Sequence, residues 1–120
     1  MFLDILAREK NIHFEQVWDI GPQELNQVLD QMTIIDVRMR EEISAGNLAA
    51  LPGALQIPLI ELVDEVQKLP REKPIVVICR NGWRSAKAAA FLTQSGFSEV
   101  YNLKGGLLYW YEVFPQRENN

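Results

Sequence analysis

The stretch from Pro74 to Leu92 reads PIVVICRNGWRSAKAAAFL and holds the single cysteine of the chain, Cys79. An apolar, β-branched run stops at that cysteine, a short loop with one glycine follows, and an alanine-rich helical segment begins. A tight strand-to-helix loop turns backbone N–H groups inward, and the first helical turn adds its own unpaired amides. Gly82 supplies a backbone shape that other residues reach poorly. Arg80, Arg84 and Lys87 add positive charge, and between Cys79 and Tyr111 the one acid is Glu99. Such a cradle favours negative charge on sulfur, and the thiolate is the nucleophilic form of cysteine. The plainer reading is a small buried hydrophobe at a strand end, which describes many free cysteines. The glycine, the two arginines and the strand–loop–helix context favour the nucleophile.

The elements that must hold this loop follow from the pattern of apolar residues. MTIIDVR (32–38) and PIVVIC (74–79) read as strands buried on both faces. LPGALQIPL holds a turn at Pro52-Gly53 and a short strand around Ala54–Ile57, and EVYNLKG is another short strand. Helices are expected from Pro22, where Leu25, Val28 and Leu29 form a stripe, and over REEISA, ended by Gly46. A further helix has Leu62, Val66 and Leu69 on one face and closes at Pro70. The alanine-rich helix ends at Gly96, and GLLYWYEVF makes the last one. Residues 2–10 suit a short amphipathic helix or a partly ordered leader. Short strands alternating with short helices indicate an α/β domain with a mainly parallel sheet. Sites in such sheets form beyond the carboxyl ends of the strands, where Asp36, Arg38 and the Cys79 loop lie.

The bulk numbers bound the answer. A chain of 120 residues with no obvious linker implies one domain, with 1–16 as an N-terminal segment, 17–114 as the core and 115–120 as a tail. The net charge of −4 gives no electrostatic reason to expect a nucleic-acid partner. One cysteine and one histidine build neither an internal disulfide nor a zinc site, so no metal is expected. No apolar run approaches ~20 residues, so no membrane span is expected. The start lacks the marks of a secretory signal, which suggests a cytoplasmic setting.

Three segments in order carry a family resemblance. CRNGWRSAKAAAFLTQSGFSEVYNLKGGLLYW resembles the active-site loop, helix and Gly-Gly segment of the rhodanese sulfurtransferases. IIDVRMREEISAGN and LPGALQIPL resemble the segments upstream of it, so the likeness spans about residues 19–111. It implies a three-layer rhodanese-like domain with a central, mainly parallel five-stranded sheet flanked by helices. It also implies transfer of a sulfane sulfur from a donor such as thiosulfate to cyanide or a thiol, through a persulfide on Cys79. A protein acceptor fits as well, and no organic cofactor is implied. By the same resemblance Arg84 is the main donor ligand, with Arg80, Asn81, Gly82 and Trp83 around the substrate. Asp36 and Arg38, with Glu42 and Ser85, support the loop from outside. Asn47 stands where the family pattern has a histidine, and Leu48–Leu51 lengthen that connection. His13 lies outside the matched segments and reads as an exposed residue.

Two other readings compete. Phosphatases and arsenate reductases use a Cys-x5-Arg loop, but four residues separate Cys79 from Arg84. A shorter loop leaves a smaller cradle, suited to one sulfur rather than a tetrahedral oxyanion. A non-catalytic docking module of the same fold typically loses the cysteine or the loop charges, and this chain has both.

Overall fold

The computed structural model describes residues 8–116. The strands are β1 (Glu9–Lys10), β2 (Trp18–Ile20), β3 (Thr33–Asp36), β4 (Leu55–Gln56), β5 (Ile75–Ile78) and β6 (Val100–Leu103). The helices are α1 (Pro22–Val28), α2 (Arg40–Ala45), α3 (Leu62–Glu65), α4 (Trp83–Gln94) and α5 (Gly106–Val113). The strands form one sheet in the order β1-β2-β6-β5-β3-β4. All neighbours run parallel except β1 against β2.

The alternation of side chains along the strands splits the core into two layers. Ile75, Val77 and Cys79 face the layer that holds Leu62, Val66, Ala88, Ala89 and Leu92. Val76 and Ile78 face the other, with Leu25, Val28, Leu107 and Trp110. Helices therefore cover both faces of the central strands, so β5 is buried throughout its length. Alanines at 86 and 88–90 let α4 lie close on the sheet, because a methyl group needs little room.

The expected α/β fold with a mainly parallel sheet is observed, but the sheet has six strands rather than five. The residue pattern marks four, and β1 and β2 are two and three residues long, too short to show a period. Glu9–Lys10 is extended, against the helix that is one of two readings of 2–10, and residues 2–7 lie outside the described residues. The helix expected around Leu62, Val66 and Leu69 keeps those residues buried. It is broken into a four-residue α3 between tighter turns at Leu59–Glu61 and Val66–Lys68.

The central strands β3 and β5 are neighbours, yet their chains leave in opposite directions. After β3 the chain goes on to β4 at one edge, and after β5 it passes through α4 to β6 on the other side. Their carboxyl ends therefore flank a point where the winding reverses, the usual place for a site in an open α/β sheet. Asp36 ends β3 and Cys79 follows β5 directly.

Candidate active site

Cys79 is fully buried at the start of the loop that leads into α4. Its Sγ accepts the backbone N–H of Gly82 at 3.2 Å and of Ser85 at 3.3 Å, and the Ser85 hydroxyl lies 3.2 Å away. Ser85 sits in the first turn of α4, so one of the amides on sulfur is an unpaired helix N-terminal donor. The loop carbonyls are tied back on the far side. Leu107 N–H donates to the Cys79 carbonyl at 2.9 Å and Leu108 N–H to the Arg80 carbonyl at 3.0 Å. In a trans peptide the N–H points opposite to the C=O, so α5 aims the amides of Arg80 and Asn81 away from itself.

This arrangement requires two glycines. Gly82 has φ of 92° and caps α4 in the left-handed region, where side-chain-bearing residues are strained. Gly106 has φ of 64°, and a Cβ there would come within 2.4 Å of the Arg80 carbonyl oxygen and 2.6 Å of the Asn81 nitrogen. The Gly-Gly turn before α5 is thus the surface on which the cysteine loop rests.

The remaining loop residues have separate places. Asn81 is exposed and its Oδ1 accepts the Trp83 N–H at 3.0 Å, which pins the turn into α4. Arg80 is exposed. Trp83 is half exposed and meets the His13 ring edge-on, with centroids 4.4 Å apart. Arg84 projects from α4 to α2, where both its terminal nitrogens bind the Glu42 carboxylate; the second contact is 2.9 Å. The acid missing from the sequence around Cys79 is therefore supplied in space by Glu42. Hydrogen bonding to Arg84 holds the Glu42 carboxyl below the usual range, and the same bond raises Arg84. Glu42 also accepts the Met39 N–H at 2.7 Å, closing the start of α2. Glu42 thus pairs with Arg84 rather than joining the Asp36–Arg38 network.

Asp36 and Arg38 form a buried ion pair of their own. Arg38 Nη2 donates to Asp36 Oδ2 at 2.8 Å and Arg38 Nε to Asp36 Oδ1 at 3.0 Å. A further donor, Nη1, reaches the Leu48 carbonyl at 2.9 Å, so this pair anchors the segment between α2 and β4.

Residues 21–113 match the rhodanese-like domain family. This chain belongs to the rhodanese family. The rhodanese-like domain is 34% identical over 95 residues to a sulfurtransferase of Allochromatium vinosum, covering 77% of this chain and 86% of that protein. It is 32% identical to the thiosulfate sulfurtransferase GlpE of Pseudomonas paraeruginosa, covering 80% and 86%. Among solved structures, the human single-domain sulfurtransferase TSTD1 superimposes with a TM-score of 0.70 at 29% identity, over 78% of this chain and 95% of that one. A rhodanese-related protein from Thermoplasma volcanium gives 0.72 at 33% identity, over 79% and 91%. These relatives support sulfur transfer as the general chemistry of this rhodanese-like domain.

Sequence reasoning missed four residues near the site. Asn102, Asp19 and Asn11 are buried polar groups linked to Ser85, and His13 packs on Trp83. With Lys10 and Lys104 they border a cleft of about 430 Å³ between the loop and the β1–β2 hairpin. The available signal was a polar residue inside an apolar strand, Asn102 in VYNL and Asp19 in WDI.

Proposed function

We propose that this domain moves a sulfane sulfur through a persulfide on Cys79. The observation that carries this reading is the set of donors on Sγ at the N-terminus of α4, the Gly82 and Ser85 amides. They favour a thiolate. The thiolate attacks the outer sulfur of thiosulfate. The new S–S bond forms as the old one breaks, and sulfite leaves with the bonding pair. The charge then resides on the outer sulfur of the persulfide. A nucleophilic acceptor, cyanide or a thiol, takes that sulfur as thiocyanate or a new persulfide, and the electron pair of the broken bond restores the Cys79 thiolate. With no second cysteine in the chain, the persulfide cannot collapse into an internal disulfide and must pass its sulfur outward.

Arg84 and Arg80 are the donor's cationic ligands in this reading, Arg84 by exchanging Glu42 for the sulfonate end and Arg80 from the exposed side of the loop. Trp83 and Asn81 border its approach.

Intact-protein mass spectrometry tests the reading. Wild type incubated with thiosulfate is expected to gain one sulfur, and to lose it with release of thiocyanate when cyanide is added. Cys79→Ser is expected to keep the fold and neither gain sulfur nor turn over. A wild-type chain that gains no sulfur from thiosulfate sinks the thiosulfate reading.

A further inference from the structure

Behind the sulfur runs a line of buried side chains that the transfer chemistry does not use. Ser85 Oγ, 3.2 Å from Sγ, donates to Asn102 Oδ1 at 2.5 Å. Asn102 Nδ2 donates to Asp19 Oδ1 at 2.9 Å, and that same oxygen accepts Asn11 Nδ2 at 3.0 Å. Ser85 is fully buried, and Asn102 and Asp19 are 2% and 8% exposed, so water does not substitute for these bonds.

The direction of each bond follows from what each group can do. A carboxylate only accepts, so Asn102 must turn its NH2 toward Asp19 and its carbonyl oxygen toward Ser85. Ser85 has one hydroxyl proton, and Asn102 Oδ1 can only accept, so that proton lies between them. The proton is therefore committed to Asn102. Toward the sulfur, Ser85 is left as an acceptor, which suits S–H and gives nothing to S⁻.

We propose that Asp19 and Asn102 are a positioning pair that withholds the Ser85 hydroxyl proton from Cys79, so that the thiolate rests on backbone amides alone. The proposal rests on the reading of Cys79 as the attacking sulfur. Its consequence for that reading is direct. A thiolate without a hydroxyl donor is the more basic one, and nucleophilicity of sulfur rises with basicity. Once the persulfide forms, the charge sits on the outer sulfur and the inner one needs no such donor. The pair thus raises the reactivity of each thiolate, at a cost in thiolate fraction, without weakening the hold on the product anion.

The charged groups on the elements that carry and flank the sulfur are Arg84 with Glu42 from α4 and α2, the Asp36–Arg38 pair at the end of β3, and the exposed Arg80 and Lys87 in the loop and on α4. Asp19 lies at the end of the chain, with Lys10, Lys104 and His13 across the cleft. Asn102→Ala and Ser85→Ala leave all of them in place.

The test is ultraviolet titration of the thiolate, with the tyrosinate contribution of the three tyrosines subtracted from its separate longer-wavelength band; the single cysteine then assigns the remaining step to Cys79. Asn102→Ala frees the Ser85 hydroxyl to donate to S⁻, and the midpoint of thiolate formation is expected to fall by about one pH unit. Ser85→Ala alone removes the acceptor of S–H, and its midpoint is also expected to fall. In the Asn102→Ala background the same Ser85→Ala change is expected to raise it. Asp19→Ala is expected to move the midpoint down and Asp19→Asn, which keeps the acceptor oxygen, to leave it near wild type. An unmoved or raised midpoint in Asn102→Ala overturns the proposal. So does a raised midpoint in Ser85→Ala alone, which decides the matter even if Asn102→Ala does not fold. No sulfur donor enters this titration, so a chain that shows these shifts but takes no sulfur from thiosulfate fails the functional reading and keeps the positioning pair.

Discussion

Two arginine–carboxylate pairs flank the cysteine loop, and they are built for different ends. Asp36 and Arg38 are two residues apart, with side chains 0% and 2% exposed, and every donor direction of Arg38 that is described ends on protein. Glu42 and Arg84 are 42 residues apart, each about one-third exposed, and join α2 to α4. A fully desolvated pair is fixed, because separating it leaves charge in a low-dielectric interior. A partly solvated pair can exchange one partner for water or for another anion at modest cost. In the function proposed above, the first pair is architecture and the second is the one that handles substrate.

The largest expected effect tests the buried pair. Arg38→Ala or Asp36→Ala leaves an unpaired buried charge and is expected to cost about 3–5 kcal/mol of stability. Chemical denaturation measures it. The double change Asp36→Leu with Arg38→Met is expected to cost less than either single change, because no charge is then stranded. If both single variants lose under about 1 kcal/mol, they behave like a surface pair and the contrast with Glu42–Arg84 disappears.

The asymmetry between the pairs also marks what the sequence made legible. DVR on a buried strand placed Asp36 and Arg38 at a strand end, because two neighbouring charges in an apolar run must pair with each other or with backbone. The cysteine loop was legible for a similar reason: strand, glycine and helix start are local, and the amide donors on sulfur follow from them. The Glu42–Arg84 contact was not, since only the packing of α2 against α4 brings them together. The Asn102–Asp19 link spans 83 residues and depends on β2 pairing with β6, and β2 is too short to read. The Gly-Gly of LKGGLLYW was legible as a motif but not as a surface for the loop, because its reason is a backbone contact with Arg80 and Asn81. Local chemistry showed through, and chemistry assembled by the sheet did not.

The second prediction removes the exchangeable cation. Arg84→Ala is expected to raise the KM for thiosulfate, with a loss of about 2–4 kcal/mol in transition-state terms where the contact is desolvated. Its stability is expected to change by less than about 1 kcal/mol, since the pair is partly solvated. Steady-state kinetics together with denaturation separates this from the buried pair, where the ranking of the two effects is reversed. Unchanged kinetics in Arg84→Ala removes Arg84 from donor binding and leaves Arg80 as the candidate.

Glu42→Gln is the sharper variant, because it keeps the shape and removes the competing charge. If the donor displaces Glu42 from Arg84, the neutral glutamine competes less and the KM for thiosulfate is expected to fall, by a factor of a few on the scale of a partly exposed ion pair. A rise in KM would mean that Glu42 holds Arg84 in the binding position rather than competing for it.

The smallest effect is a pH dependence of stability. Arg84 holds the Glu42 carboxyl below its usual range in the folded chain, chiefly by hydrogen bonding. A group whose folded value is depressed binds protons more readily when unfolded, so stability rises with pH where the two states differ in protons bound. The stabilisation is therefore complete above the unfolded value, about 4.3 for glutamate, and is lost as pH falls through the lower folded value. Partial exposure limits it to under about 1 kcal/mol. Denaturation of wild type and Glu42→Gln at a series of pH values isolates the contribution, because glutamine does not titrate. The stability difference between them is expected to be constant from pH 7 to about 5 and to shrink below about 4. In an Arg84→Ala background the shrinkage is expected to be smaller, since the largest cause of the Glu42 depression is gone while the Met39 N–H still donates to it. A difference that stays flat down to acid pH would show that Glu42 is not held by Arg84 in solution. The pair would then have exchanged its partner for water, and the guanidinium would already stand open to an incoming anion.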